Sequence, residues 1–358
     1  MAVPGPSTDR YDAVVVVSFG GPEAPGDVEP FLDNVLRGRT ITPERRRAVA
    51  GHYHHFGGRS PINDHNRALV AAVRAELQAH GRDLPVYWGN RNWHPFLTDT
   101  VGTMRDDGVR RALAFVTSAY ASYSGCRQYL EDIARARTSV GPDAPVIHKL
   151  RLFYNHPGFV QANAEAVQGA LAAARAGDGT ARGARGARPR VLFTAHSIPM
   201  AMAATSDYQR QLTETARLVM AQVDSAATTP WSLAFQSRSG PPAVPWLEPD
   251  IVDQLRALGA EGVEQVVVAP IGFVADHMEV VYDLDVEAAQ EAERLGLTMV
   301  RAATAGVHPA FVTMIRQLIE ERLDSAAPKL ALGSDGPYHD TCPVDCCPGP
   351  RRPSPAGS

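Results

Sequence analysis

Apolar residues along this chain gather in short unbroken runs more often than in alternating ones. Asp12-Ala-Val-Val-Val-Val-Ser18 and Arg190-Val-Leu-Phe-Thr-Ala195 are apolar or β-branched almost throughout and end in small polar residues. That pattern predicts parallel strands buried on both faces. Pro85-Val-Tyr-Trp-Gly-Asn-Arg91 and Ser232-Leu-Ala-Phe-Gln-Ser-Arg238 follow, each an apolar strand that closes on a polar pair and an arginine. A third pair opens with Gly-Val, at Gly108–Val116 and Gly262–Pro270. The fourth closes with His156-Pro-Gly-Phe-Val160 and His308-Pro-Ala-Phe-Val312, each after a short run that predicts an outer strand and before a helical pattern.

Four matched landmarks in one order, with helical periodicity between them, predict two βαβ-built halves descended from one unit. Generic resemblance among α/β strands is the alternative, and the two His-Pro-x-Phe-Val motifs weigh against it. Right-handed crossovers then give an α/β protein of two open parallel sheets, each flanked by helices. The expected boundaries are residues 1–160 for the first half, 161–189 for a helix and a Gly/Arg-rich connection, 190–330 for the second half and 331–358 for a cysteine-bearing tail with a disordered end. The connection has no strand leading into its glycines, so it is a poor phosphate loop.

Length fits this duplication, because 358 residues suit about two domains. A composition of 44% hydrophobic and 21% charged residues can bury sizeable cores. Thirty-five Lys and Arg against 39 Asp and Glu give a net charge of −4, which leaves no basic excess for nucleic acid. Met1 to Asp12 lacks a basic start followed by an apolar stretch, and no apolar run is long enough to span a bilayer. A cytoplasmic location without stable membrane insertion is the expectation. Of the four cysteines, Cys342, Cys346 and Cys347 crowd into the tail, which points to metal or redox chemistry rather than disulfide stapling.

Ligands of open α/β sheets sit beyond the carboxyl ends of the strands. His196 follows the Val191–Ala195 run directly, as an imidazole at a strand mouth or as a packing residue. After the Val266–Pro270 run, Glu279, Asp283 and Glu287 recur every four residues, so a helix carries all three on one face. Like charges at that spacing weaken a helix, yet carboxylates with imidazole suit a divalent cation. A metal-handling crevice is the leading reading, and a solvated acidic face is the other. Ser18-Phe-Gly-Gly-Pro22 gives a tight turn that is no dinucleotide fingerprint. Arg37, Arg39, Arg45 to Arg47 and His52-Tyr-His-His-Phe-Gly-Gly-Arg-Ser-Pro61 either wall a flat aromatic ligand with carboxylates or form an ordinary basic helix. Three tyrosines and Cys126 share the segment after the third strand; with the tail thiols, Cys126 makes a set for zinc or a [2Fe-2S] cluster, or the thiols are free.

Ser18-Phe-Gly-Gly-Pro22, Gly57-Gly-Arg-Ser-Pro61, Thr194-Ala-His-Ser-Ile-Pro199 and Gly272-Phe-Val-Ala-Asp-His-Met-Glu-Val-Val-Tyr-Asp-Leu-Asp285 as a set resemble the ferrochelatases, in particular the actinobacterial coproporphyrin ferrochelatases that carry an iron-sulfur cluster. The resemblance spans Asp12 to Cys347. It implies two Rossmann-like, chelatase-like halves around a porphyrin cleft, and insertion of Fe2+ into coproporphyrin III to give coproheme. It implies His196 and Glu279 as the catalytic pair, and His196, Glu279, Asp283 and Glu287 as metal ligands along an acidic trail. Ser60, Tyr53, Tyr129, Tyr123 and Phe19 fall at porphyrin-contacting positions. Phe19 stands where many relatives have an iron-ligating tyrosine, and Tyr123 is the expected substitute. Cys126, Cys342, Cys346 and Cys347 match the [2Fe-2S] ligands. The expected partners are the porphyrin and Fe2+, with a monomeric chain making transient contacts with other haem-pathway enzymes. Two rivals are a cobalt or sirohydrochlorin chelatase and a non-catalytic haem or metal carrier.

Overall fold

The computed structural model describes residues 11–38, 41–176, 189–223, 229–241 and 243–349. Most of the Gly/Arg-rich connection, the end of the tail and Arg39 lie outside them. The first half runs β1 (Ala13–Ser18), α1 (Val28–Val35), α2 (Pro43–His55), α3 (Ile62–Ala79), β2 (Val86–Asn90), α4 (Leu97–Asp106), β3 (Arg111–Val116), a π-helical turn (Tyr123–Arg127), α5 (Gln128–Val140), β4 (Val146–Lys149) and α6 (Pro157–Ala176). The second runs β5 (Arg190–His196), α7 (Met200–Ala203), α8 (Tyr208–Met220), β6 (Trp231–Gln236), α9 (Ile251–Ala260), β7 (Gln265–Ala269), α10 (Met278–Tyr282), a second π-helical turn (Asp283–Ala288), α11 (Ala289–Leu295), β8 (Thr298–Arg301) and α12 (Pro309–Leu323).

The two four-stranded sheets have matching orders, β2-β1-β3-β4 and β6-β5-β7-β8, and every pairing is parallel. Six consecutive buried residues make β1, as expected of a strand covered on both faces. Its side chains alternate between layers: Val14 and Val16 join a central core shared with Phe193 and Val267 of the second sheet, while Ala13, Val15 and Val17 face α4 and α5. In the second half Leu192, Val266 and Val268 point the other way, toward α9 and α11.

The last helix of each half crosses to the other. Helix α6 packs on β7 and β8, and α12 packs on α3 and α6. Both begin at the repeated His-Pro motif, where His156 and His308 each accept a backbone N–H two residues ahead, from Gly158 and Ala310. The helices approach so closely that a Cβ on Gly158 would sit 2.3 Å from the Ala310 carbonyl oxygen. Phe159 and Phe311 lie 6.0 Å apart there. Arg151 and Glu321 add a two-pronged ion pair, both side chains 1% exposed. One buried interface thus fixes the two sheets relative to each other, which positions the cleft.

In each sheet the chain leaves the inner strand toward one neighbour and returns on the other side. Between β5 and β7 this reversal opens a crevice at the carboxyl ends of the strands, the usual ligand position of open parallel sheets.

Candidate active site and cysteine pocket

His196 ends β5 inside that crevice, in register with Gln236 of β6. Its backbone carbonyl accepts from the buried Tyr208 hydroxyl at 2.9 Å, which pins the strand end. The ring Nδ1 is hydrogen-bonded to the Ser197 carbonyl. A carbonyl only accepts, so Nδ1 carries the proton and the neutral ring presents Nε2 as its basic atom. That Nε2 lies 3.6 Å from Glu279 Oε2, with the side chains 30% and 48% exposed. Burial alone would lower the His196 pKa. The Glu279 charge and hydrogen bond, the Ser197 carbonyl and Asp283 outweigh it and leave the pKa above its ordinary value.

Glu279 is the second residue of α10. His277 caps this helix, its Nδ1 accepting the Glu279 backbone N–H at 3.2 Å. Gln236 donates to the Glu279 backbone carbonyl at 2.8 Å, so the residue paired with His196 in the sheet also holds the helix that carries its acidic neighbour.

The acid row differs from a regular helix. After Tyr282 the chain widens into the π-helical turn Asp283–Ala288, then tightens again into α11. Such bulges occur where packing favours an extra residue in the turn, often at functional sites. The row still acts as a unit electrostatically. Burial, and then the charges of Glu279 and Glu287, push Asp283 from 3.8 up to about 7, against the Ser237 hydroxyl and His196, which favour the charged form. Ser237 has a φ of 61°, a left-handed backbone uncommon for serine, and its hydroxyl donates to Asp283. Glu287 is exposed, and burial together with Asp250 raises its pKa against the pull of Arg45. From inside outward, the row offers an imidazole, a half-exposed carboxylate, a buried carboxyl that titrates near neutrality and an exposed carboxylate.

One pH dependence follows. Because folding raises the Asp283 pKa, the folded chain holds a proton that the unfolded chain releases, so stability falls as pH climbs from 3.8 to about 7 and is flat above. Asp283→Asn is therefore expected to be more stable than wild type at about pH 8 by up to a few kcal/mol. The advantage should vanish near the ordinary carboxylate range. Urea unfolding midpoints across that interval read it directly, and parallel curves for the two proteins would refute the assignment.

The facing wall comes from the first half. Phe31 meets Phe19, Tyr53 and Trp93 edge-on at 6.3, 5.5 and 6.2 Å, and this group packs with Met278 and Tyr282 of α10. Burial, and then the Glu279 charge, raise the Tyr53 pKa, which places its phenol near the acid row. His52 stacks on Tyr282 at 3.7 Å with the rings 9° apart. Ser60 is buried against Gly21, its N–H donating to the Pro22 carbonyl at 2.9 Å. A cavity of about 340 Å³ lies between the halves, lined by Phe56, Arg59, Pro61, Asp64, His65, Asp276, Met278 and Val281. Another of about 480 Å³ lies beside α8 at Arg210 and Asp335, apart from these residues.

Not every expected porphyrin contact joins this wall. Tyr129 is buried in the outer core layer of the first half, with the Arg91 guanidinium 4.8 Å over its ring. Tyr123 donates to Glu131 at 3.0 Å, and its ring lies against Gly349 of the tail. Of the basic residues, Arg45 reaches the Arg238 carbonyl across the cleft, whereas Arg46 and Arg47 are spent on surface pairs with Glu29, Asp33 and Glu44. Sequence reasoning missed Arg91, which pairs with Asp132 at 3.0 Å and lies over Phe19. It also missed Ser237, although the strand ending in Ser237-Arg238 marked the place.

The cysteines gather. Cys126, Cys342, Cys346 and Cys347 share one pocket with Ala121, Leu152 and Tyr338. Cys126 and Cys342 sulfurs are 4.0 Å apart, and those of Cys346 and Cys347 are 3.6 Å apart. Two thiolates on one tetrahedral metal with bonds of about 2.3 Å are separated by roughly 3.8 Å, so each pair fits one metal ion. Arg127 holds the tail loop by donating to the carbonyls of Pro343, Val344 and Cys346. Cys347 has a φ of 50°, which turns its sulfur back beside Cys346. His339 joins Cys342 and Cys346, the three ligand atoms lying within 4.8 Å of one another.

Two parallel sheets, a strand-mouth imidazole and a carboxylate row define a chelatase-like α/β protein. Solved structures of SirB from Bacillus, one with Fe3+ and one described as a sirohydrochlorin chelatase with cobalt, match with TM-scores of 0.53 and 0.50. Each covers 90% of this chain and 99% of its own at 11% identity, a likeness of fold. The chain belongs to the ferrochelatase family, whose model matches residues 11–323. It is 53% identical to a ferrochelatase of Rhodopirellula baltica, covering 97% of this chain and 96% of that one. It is 50% identical to the coproporphyrin III ferrochelatase of Streptomyces griseus, again over 97% and 96%, and 51% identical to that of Mycobacterium ulcerans over 91% of each. The reaction is thus insertion of iron into a porphyrin in haem synthesis. No helix among the described residues is long and apolar enough to cross a membrane.

Proposed function

We propose that the porphyrin is coproporphyrin III, that it is metallated in the cleft between the aromatic wall and α10, and that the product is coproheme. The observation that carries this is the His196–Glu279 pair at the head of the carboxylate row, with Nε2 and Oε2 3.6 Å apart. Metallation must remove two pyrrole protons while Fe2+ sheds water. His196 Nε2, the basic atom of the neutral ring, accepts a pyrrole proton. Glu279, Asp283 and Glu287 receive Fe2+ as substrate and replace its waters stepwise with carboxylate oxygens. Asp283, titrating at about 7, can take and release a proton at neutral pH and so passes it outward. Phe19 and Tyr53 bear on the ring faces, with Ser60 at its edge, and Arg37, Arg45 and Arg59 offer cations for propionates.

Four propionates require more such partners than two. Coproporphyrin III is expected to exceed protoporphyrin IX in kcat/KM by at least about tenfold, the worth of one charge-assisted hydrogen bond. Equal or reversed values would sink the substrate assignment and leave the reaction intact. The four thiols fit a [2Fe-2S] cluster, which Cys126, Cys342, Cys346 and Cys347 would hold. When bound, that group supplies a one-electron centre and a cross-link from the tail to the first half. Because His339 stands beside two thiols, a single zinc is the second reading. The chain works as a cytoplasmic monomer, handing product to other haem-pathway enzymes through transient contacts.

A further inference from the structure

Lys149, the last residue of β4, is 7% exposed, and lysine is almost never so buried without an anion. Its ammonium donates to the Leu150 carbonyl at 3.0 Å. Among the described residues it has no carboxylate partner, in contrast to the still more deeply buried Arg151, which has Glu321. What lies next to Lys149 is the cysteine pocket. Leu152, three residues further on, lines that pocket, and the Lys149 charge acts on Cys126, Cys342 and the His339 ring. Strand alternation explains the aim: Lys149 shares a strand face with Ile147, which packs in the layer that holds α5, just after Cys126.

We infer that Lys149 is the built-in counter-charge of the four-thiolate centre, steadying its negative charge and raising its reduction potential. This rests on the cysteine pocket binding metal, as proposed above. A [2Fe-2S] cluster on four thiolates is net negative and gains one further negative charge on reduction, when one Fe3+ becomes Fe2+. A fixed cation beside the thiolates favours the more negative state. Lys149 touches no substrate and is a positioning residue.

The test uses the full chain, wild type and Lys149→Met, Lys149→Gln and Lys149→Arg, with dithionite as electron donor and mediator dyes to set the potential. The neutral variants are expected to shift the reduced-to-oxidised ratio at a given potential at least tenfold toward oxidised, about 59 mV more negative for one electron. Lys149→Arg should restore most of it. In parallel, metal-free protein is titrated with Co2+ alone, whose thiolate charge-transfer band reports occupancy. Neutral variants should bind it at least tenfold more weakly than wild type and Lys149→Arg. A merely structural lysine would lower the thermal midpoint of the neutral variants and move neither readout. An unchanged potential and an unchanged Co2+ affinity in a folded neutral variant would overturn the inference. Wild-type protein without iron and sulfide would instead overturn the cluster reading, and the Co2+ series then decides for or against Lys149 alone.

Discussion

His196→Ala is expected to lower kcat by about 10²- to 10⁴-fold, the range for removing a positioned general base, while porphyrin affinity stays near wild type. The expectation follows from the geometry. Nδ1 is committed to the Ser197 carbonyl, and Nε2 faces Glu279. Glu279→Gln keeps the shape and removes the charge, so it should also cut kcat strongly. Glu287→Gln, at the exposed outer end, should chiefly raise the apparent KM for Fe2+, because it meets a hydrated ion rather than the reacting complex. The raised His196 pKa sets the pH profile: turnover should rise as pH climbs through that pKa, since the imidazole must be neutral to accept a proton. Glu279→Gln removes the largest influence raising it and should move that limb to lower pH. Anaerobic steady-state kinetics, with porphyrin binding followed by fluorescence quenching, separate these effects. Near-wild-type turnover in His196→Ala would return the histidine to a strand-end packing role.

The second large effect concerns the tail. Purified protein is expected to be coloured and to contain iron and acid-labile sulfide at about two each per chain. Cys126→Ser and Cys346→Ser should each lose colour, iron and sulfide together, because the proposed centre needs all four thiols. Since Cys126 and the tail thiols are distant in sequence, loss of the centre should also unlock the tail and lower the thermal midpoint, as metal sites commonly couple to folding. One zinc and no sulfide would contradict the cluster and favour a site that includes His339.

Much of this was legible in the sequence because it depends on local pattern. Strands covered on both faces must be apolar throughout, so β1 and β5 announce themselves, and the repeated His-Pro-x-Phe-Val motif marks the same helix start in both halves. The acid row was legible as spacing, and the thiols as a group by their number and crowding. What was hidden depends on tertiary packing. The widening of the helix at Asp283 leaves no mark on the spacing, and the near-neutral titration of Asp283 needs its burial, which the Ser237 hydroxyl, from a strand end 46 residues earlier, only partly offsets. The exchange of α6 and α12 between the halves, like the aim of Lys149 and Arg127 at the cysteine pocket, joins residues with no shared sequence signal.

The most direct measurement is anaerobic incubation of the purified protein with Fe2+ and coproporphyrin III, followed by absorbance, for wild type, His196→Ala and Glu279→Gln. Wild type should convert the free-base spectrum to that of iron coproporphyrin, while both variants bind the porphyrin and leave it essentially free of metal. Failure of wild type to metallate coproporphyrin III, or equal rates in all three proteins, would contradict the assignment of this cleft as the site of iron insertion.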